Sequence, residues 1–186
     1  MLVLGISGSL RRDSHNSKLL RAAGRLIDEP DVEFVEFDGL KALPPYDEDD
    51  DGAEAPAAVT RLRETLAGAD AILIATPEYN SSIPGQLKNA IDWASRPLAT
   101  NPLRNKPVAV VGASTGMFGA VWAQAELRKV LAATGARVVE CEVALGHAQD
   151  CFGDDGSLND ERTEDELGEV ARLLVAELRP AVRLAA

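Results

Sequence analysis

The sequence lacks the residues that several classes of site require. Of its 186 residues only 4% are aromatic, and the two cysteines, Cys141 and Cys151, have neither a CxxC spacing nor a nearby histidine pair. This pattern does not fit a zinc site or a disulfide framework, so we expect a reduced, cytoplasmic protein without a metal. The phosphate-binding pattern GxxxxGK[ST] and the dinucleotide fingerprint GxGxxG are both absent, which disfavours nucleoside triphosphates and a dinucleotide-type Rossmann site.

Positive charge and long apolar runs are also scarce. The chain has 30 acidic residues against 19 Lys and Arg, a formal net charge of −11. An acidic excess argues against nucleic acid or an anionic membrane as a partner. The amino-terminal run MLVLGISGS has no basic segment and is too short for a signal peptide or a membrane span, so we expect it to form a strand.

Strand-like and helix-like segments alternate along the chain without a repeat. Strands are predicted at 2–6, 32–37, 71–75, 107–112 and 137–143, and helices at 16–27, 57–66, 85–95, 118–133 and 161–178. The run 71–75 is wholly apolar, as in a strand buried on both faces, whereas 32–37 alternates and is placed at a sheet edge. An acidic loop at 39–56, with a solvated charge run from Asp47 to Asp51, and an irregular stretch at 144–159 complete the prediction. Five βα units predict one doubly wound α/β domain over 1–186.

Three loops follow predicted strands and would meet at the carboxyl edge of the sheet, where open α/β sheets bind ligands. Loop 1 (8–17) reads GSLRRDSHNS, loop 2 (77–82) reads PEYNSS, and loop 3 (112–119) reads GASTGMFG. Small residues, serine hydroxyls, a helix start and Arg11 or Arg12 make loop 1 suitable for a phosphate group. From composition alone, a plain helix cap with solvated arginines is an equal alternative, and loops 2 and 3 could be ordinary βα connections.

The strings PEYN..IPG.LKNAIDW.SR and GSLR..S.N..L resemble the signature of the NADPH-dependent FMN reductase family, which includes quinone, chromate and azo-dye reductases. The resemblance implies a flavodoxin-like fold: a three-layer, doubly wound, five-stranded parallel sheet in the order 2-1-3-4-5. It also implies FMN as the cofactor and NADPH or NADH as the co-substrate. Family members pair through the region after the third strand, which implies a homodimer or homotetramer, with Ile91, Trp93 and Pro97 supplying apolar surface.

The resemblance also implies which residues hold the cofactor. The FMN phosphate is expected at Ser9, Arg11, Ser14 and Asn16, with Ser17 in a secondary role. The flavin ring is expected against the backbone of Pro77, Glu78, Tyr79 and Asn80, and beside Ser114, Thr115 and Gly116. No catalytic side chain is predicted, because the flavin carries the chemistry. His15 is predicted to be a solvated turn residue.

The leading hypothesis is therefore an FMN-dependent NAD(P)H oxidoreductase that reduces quinones, free flavin or similar small acceptors in two half-reactions. The alternative is a flavodoxin-type electron carrier, for which the acidic surface would dock a protein partner. Flavodoxins usually hold phosphate without such an arginine and flank the ring with aromatic residues, which are few here. These two features favour the enzyme.

Overall fold

Strands and helices alternate throughout the computed structural model, which describes residues 1–52 and 54–179, so that Ala53 in the acidic loop lies outside it. The strands are Leu2–Ser7 (β1), Glu33–Glu36 (β2), Ala71–Thr76 (β3), Pro107–Ala113 (β4), Arg137–Val138 (β5) and Ala144–Leu145 (β6). The helices are His15–Arg25 (α1), Ala57–Gly68 (α2), Gly85–Ala94 (α3), Val121–Ala133 (α4) and Glu161–Ala176 (α5). Two short 3₁₀ turns lie at Leu40–Ala42 and Leu98–Thr100.

The sheet is parallel and has the order β2-β1-β3-β4-β5, which confirms the predicted flavodoxin-like arrangement. Every residue of β3 and β4 is buried, whereas β2 lies at the edge and is largely exposed. Alternate residues of the central strands face two separate cores. One core packs against α2, α3 and α4, and the other packs against α1 and α5. The fold therefore has three layers, as apolar strands buried on both faces require.

The fifth strand predicted at 137–143 is present but interrupted, because the chain pairs with β4 at 137–138 and again only at 144–145. Val138 pairs with Val108, and Ala144 pairs with Gly112. Between these pairs β4 has three residues and its partner has five, so the extra residues bulge out of the ladder. The irregular stretch predicted from Ala144 accordingly begins with the short strand β6.

Arg128 on α4 satisfies the backbone that this bulge leaves unpaired. Its Nη2 donates to the carbonyl of Val110 at 3.3 Å, to that of Cys141 at 2.5 Å and to the side chain of Gln124 at 3.2 Å. Gln124 is fully buried and donates in turn to the carbonyl of Val143. The pair of Arg128 and Gln124 thus connects α4 both to β4 and to the bulged segment.

The acidic loop is only partly solvated. Residues 47–50 are exposed as predicted, but the Asp51 side chain is 10% exposed and pairs with Arg63 at 2.6 Å. Tyr46 packs edge-on against the ring of Trp93, with centroids 4.8 Å apart. The prediction of a solvated run is therefore wrong for Asp51, where the loop folds back onto Arg63 of α2.

Two residues predicted to supply a subunit contact lie inside the chain. Trp93 is fully buried, and its ring N–H donates to the carbonyl of Pro44. Ile91 is buried in the same core. The contact assigned to these two residues is thus wrong, and Pro97 alone of the three lies at the surface.

Within the described residues, no helix combines the length and the apolar character that crossing a membrane requires.

Candidate functional site

The three predicted loops meet at the carboxyl edge of the sheet and enclose a cavity of about 270 Å³. Loop 1 follows β1, loop 2 follows β3 and loop 3 follows β4. The lining residues are Ser9, Arg11, Ser14, His15, Asn16, Pro77, Glu78, Tyr79, Ala113, Ser114 and Thr115. Because β1, β3 and β4 are neighbours in the sheet, the fold brings together three segments that are far apart in sequence.

Nine of the twelve predicted cofactor residues line this cavity, and three do not. Ser17 lies outside the lining, with its hydroxyl donating to Ser7 at 2.9 Å. Asn80 lies in the tight turn of loop 2, and Gly116 accepts the backbone N–H of His147. That the twelve residues hold a cofactor remains a prediction. His15 and Ala113 line the cavity without having been predicted.

The first turn of α1 offers unused hydrogen-bond donors to the cavity. Ser14 is 2% exposed, and its Oγ caps the helix by accepting the N–H groups of Asn16 at 3.1 Å and Ser17 at 3.3 Å. Among the described residues, no acceptor contacts the hydroxyl proton of Ser14 or the backbone N–H of His15. Both residues line the cavity, so both donors are available to a ligand.

Positive charge collects at this helix start without a counterion. Arg11, Arg12 and Lys18 flank the first turn, which contains no acidic residue. Within the described part of the chain, neither arginine forms an ion pair, and the one carboxylate of loop 1, Asp13, pairs with neither. A helix amino terminus is the positive end of its dipole, so cations alone are unfavourable there. The arrangement favours a bound anion.

Two close contacts hold loop 1 against its neighbours. The Gly8 N–H donates to the carbonyl of Ala75 at 2.8 Å, and a Cβ at Gly8 would lie 2.8 Å from the Leu87 side chain. The Asn16 side chain, 3% exposed, donates to the carbonyl of Ala113 at 2.8 Å and accepts its N–H at 2.9 Å. Asn16 thereby ties loop 1 to the end of β4 and keeps one amide N–H unused.

Loop 2 is a tight two-residue turn. Tyr79 and Ser82 exchange backbone hydrogen bonds of 3.1 Å, and Asn80 and Ser81 between them have φ of 53° and 59°. These positive φ values are those of a type I′ turn. The Tyr79 N–H is therefore used within the turn, contrary to the prediction that it faces the ring. Among the described residues, the N–H groups of Glu78 and Asn80 have no acceptor.

Loop 3 packs backbone to backbone on β6 and the segment that follows it. Gly119 has φ of 56°, and a Cβ there would lie 2.2 Å from the carbonyl carbon of Ala144. Ser114 donates its N–H to Leu145 and accepts that of Ala148, both at 3.0 Å. The left-handed backbone of Gly119 and Ala120 also explains why α4 begins at Val121 instead of the predicted residue 118.

The string 112–116, GASTG, also matches the GxSxG pattern of a hydrolase nucleophile elbow. The structure does not support that chemistry. Ser114 is not among the residues with positive φ, and its Oγ donates to the carbonyl of Gly116 at 3.2 Å. No hydrogen bond joins Ser114 to a histidine side chain in the part of the chain that the structure describes.

His15 is a cavity residue rather than the solvated turn residue that was predicted. Its ring stacks on Phe152, with centroids 6.1 Å apart, and its Nδ1 is buried without a partner among the described residues. Burial lowers the pKa of His15 below its usual 6.5, and the cations Arg11 and Lys18 lower it further. His15 is therefore neutral at neutral pH. The sequence did not indicate that His15 is partly buried, because its contact Phe152 lies far away along the chain.

Large apolar side chains are exposed on loops 2 and 3 and in the first turn of α4, and of these Tyr79 also lines the cavity. Tyr79, Met117, Phe118 and Trp122 are each about half or more exposed, at 52%, 65%, 53% and 48%. The rings of Phe118 and Trp122 meet edge-on at 4.9 Å. We call these four residues the aromatic rim.

A larger cavity, of about 620 Å³, lies beyond the opposite edge of the sheet, between the end of α1 and α5. Its walls include Leu26, Ile27 and Val175. It has none of the loop motifs, so the smaller cavity with convergent donors is the better candidate site. Within the described residues, no cluster of three or more His, Cys, Asp or Glu could hold a metal ion.

Comparisons with known proteins identify the family of the chain. The sequence profile of a family described as NADPH-dependent FMN reductase matches residues 1–150. The chain is 44% identical over 164 residues to the NAD(P)H-dependent FMN reductase PA1204 of Pseudomonas aeruginosa, covering 88% of this chain and 87% of that protein. It is 38% identical over 156 residues to a quinone reductase of Pseudomonas putida, covering 83% of each. Among solved structures, the flavoenzyme NAD(P)H:(acceptor) oxidoreductase FerB of Paracoccus denitrificans superimposes with a TM-score of 0.86 at 38% identity, covering 95% of this chain and 96% of FerB.

Proposed function

The chain belongs to the NADPH-dependent FMN reductase family, and from that premise we propose that FMN occupies the cavity enclosed by loops 1, 2 and 3. The protein is an FMN-dependent NAD(P)H oxidoreductase that reduces small-molecule acceptors. The enzyme hypothesis thus holds over the electron-carrier alternative, since the relatives are reductases.

The phosphate of FMN lies at the start of α1 in this proposal. The observation that carries it is the uncompensated positive charge there, in a chain whose net charge is −11. The unused donors of Ser14 and His15 supply hydrogen bonds, and Arg11 supplies charge. Gly8 keeps loop 1 packed against Leu87 and the end of β3.

The flavin ring lies between loops 2 and 3. The free N–H group of Glu78 is a donor for the polar edge of the ring, with that of Asn80 just outside the lining, and Ser114 and Thr115 form the wall opposite. We retain Pro77 and Tyr79 as packing contacts, and Gly116, Asn16 and Ser17 as supports of the loops.

Bound FMN supplies the hydride chemistry, and the chain supplies placement. Loops 1 and 2 fix the two ends of the ligand, and loop 3 excludes water from one side of it. Tyr79 lines the cavity and is 52% exposed, so its ring offers flat apolar surface on which a nicotinamide and then a quinone-like acceptor or a free flavin can stack in turn. A single open face used by both partners gives a two-step exchange. No side chain of the cavity is required as a catalytic acid.

We further propose that the protein is a cytoplasmic homodimer or homotetramer. The exposed aromatic rim supports self-association, because monomers rarely leave such a patch uncovered. Both cysteines are free, as in a reducing compartment.

The test is spectroscopic and kinetic. Purified protein should show flavin absorption or take up added FMN, and anaerobic NAD(P)H should bleach that absorption. A quinone should then restore the absorption without any partner protein. Protein that ignores FMN would refute the proposal, and flavin that stays oxidised under excess NAD(P)H would favour the carrier.

A further inference from the structure

Helix α4 is capped by a residue of another loop. Its own N-cap residue, Ala120, is left-handed and has no capping side chain. The Oε2 of Glu78, on loop 2, accepts the backbone N–H groups of both Trp122 and Ala123 at 3.1 Å. A carboxylate from across the cavity thus occupies the positive end of α4.

A second contact joins the same loop to the same helix. The Oγ of Ser82 donates to Glu126 at 2.5 Å on the exposed face of α4. This pair lies outside the cavity lining, whereas Glu78 lines it. The chain therefore offers a natural control, namely two ties between loop 2 and α4 of which one is at the cavity.

The two ties differ in their expected strength. A carboxylate that accepts two N–H groups at a helix start makes charge-assisted hydrogen bonds and also interacts favourably with the helix dipole. The Ser82 pair is a single exposed hydrogen bond, whereas Glu78 makes two, of which the one to Ala123 is partly buried. Glu78 is therefore the contact that fixes loop 2 relative to α4 and loop 3.

The charge of Glu78 has an electrostatic consequence. It offsets the positive end of α4 beside the proposed ring position, whereas the start of α1 has no such offset. The potential of the cavity therefore becomes more positive toward the phosphate end. Removing the charge while keeping an acceptor oxygen would leave the end of α4 uncompensated.

We propose that Glu78 is a positioning residue for the flavin, one that fixes the gap between loops 2 and 3 and lowers the positive potential at the ring. This inference rests on the proposed function, since it requires FMN in the cavity. It gives the side chain of Glu78 a role separate from the backbone role predicted from the sequence.

The first test compares Glu78→Ala with the control Glu126→Ala, each titrated with FMN and with riboflavin. Glu78→Ala should weaken both flavins by a similar factor, about tenfold, because the loop contacts the ring that they share. Glu126→Ala should change either affinity by less than about twofold. Affinities of Glu78→Ala within about twofold of the original protein would overturn the inference. If the original protein binds neither flavin, the proposed function itself fails.

The second test uses Glu78→Gln, which keeps an oxygen acceptor for the two N–H groups and removes the charge. Its thermal unfolding should stay close to that of the original protein, so it serves even if Glu78→Ala does not fold. The reduction potential of its bound flavin should rise, because the uncompensated end of α4 favours the more negative, reduced form. A purely structural tie would leave the potential unchanged, and that result would overturn the electrostatic part of the inference.

Discussion

At the scale of residues, the charges at the helix amino termini indicate which end of the cavity suits an anion. Helix α5 begins at Asp160, with Glu161 and Glu164 in its first turn, and α4 is capped by Glu78. Helix α1 is instead capped by the neutral Ser14, with three cations, Arg11, Arg12 and Lys18, against the one carboxylate of Asp13. The chain has 30 acidic residues, yet within the described residues none of them forms an ion pair with Arg11 or Arg12. The phosphate of FMN is the anion that the family provides.

Replacing Arg11 by alanine should weaken FMN much more than riboflavin. The lost charge-assisted contact contributes about 1.5 kcal/mol or more, which is roughly tenfold in affinity. Riboflavin has no phosphate, so its affinity should scarcely change. The measurement is titration of both flavins into Arg11→Ala, with Arg12→Ala as the matched control.

If Arg12→Ala shows this selective loss instead, the second arginine faces the phosphate. Equal losses for both flavins in Arg11→Ala would mean that the mutation had disordered the loop.

The lowered pKa of His15 should make the empty protein acid-sensitive. The unfolded chain takes up this proton as pH falls below 6.5, whereas the folded chain resists until its lower pKa is reached. The free energy of unfolding should therefore fall over that window and level off below it. His15→Phe keeps the stack on Phe152 without a titrating group, so the variant should lose less stability between about pH 7.5 and 5.5. Urea unfolding at both pH values measures this, and an identical loss in both proteins would contradict the assignment.

At the scale of elements, periodicity predicts the strands and helices that bury their own side chains. The all-apolar run 71–75 and the amphipathic segment 85–95 appear nearly as predicted, because local pattern and tertiary burial agree there. The fifth strand is shorter than predicted. Its sequence, RVVECEV, has a strand-like pattern, but the carbonyl of Cys141 accepts from Arg128 of α4, which lies at least nine positions away from the segment. The capping of α4 by Glu78 could not be predicted from the sequence for the same reason, because its partners Trp122 and Ala123 lie on another element. The sequence motifs located the three loops, but only the structure showed which of their hydrogen-bonding atoms are already paired within the chain.

Replacing Arg128 by methionine should therefore destabilise the fold strongly. The carbonyls of Val110 and Cys141 would lose their donor in a largely buried place, at a cost of about 2–4 kcal/mol. The control Arg162→Met removes an exposed pair with Glu166 on α5 and should change stability by less than about 0.5 kcal/mol. Urea unfolding of both variants gives the comparison. If both variants lose a similar, small amount of stability, the interruption between β5 and β6 does not depend on Arg128.

At the scale of the whole molecule, chemistry and exposed apolar surface lie at the same edge of the sheet. The three loops and the aromatic rim all follow carboxyl ends of strands, whereas the opposite edge has a roomier cavity but no motif. Parallel topology produces this asymmetry, because every βα loop emerges at one edge. A second subunit resting on the rim would share a boundary with the cavity.

The proposed self-association can be located by comparing two exposed apolar sites. The region after β3 was expected to carry the contact, but burial of Trp93 and Ile91 leaves Leu98, 59% exposed, as its main apolar surface. The aromatic rim is larger, with Phe118 and Trp122 in mutual contact. Sedimentation at micromolar concentration should therefore show a dimer or larger assembly for the original protein and for Leu98→Ser. Trp122→Arg should sediment as a monomer, because a charge buried without a partner is costly at an interface of ordinary size. A monomeric original protein would refute self-association, and a dimeric Trp122→Arg beside a monomeric Leu98→Ser would move the contact to the segment after α3.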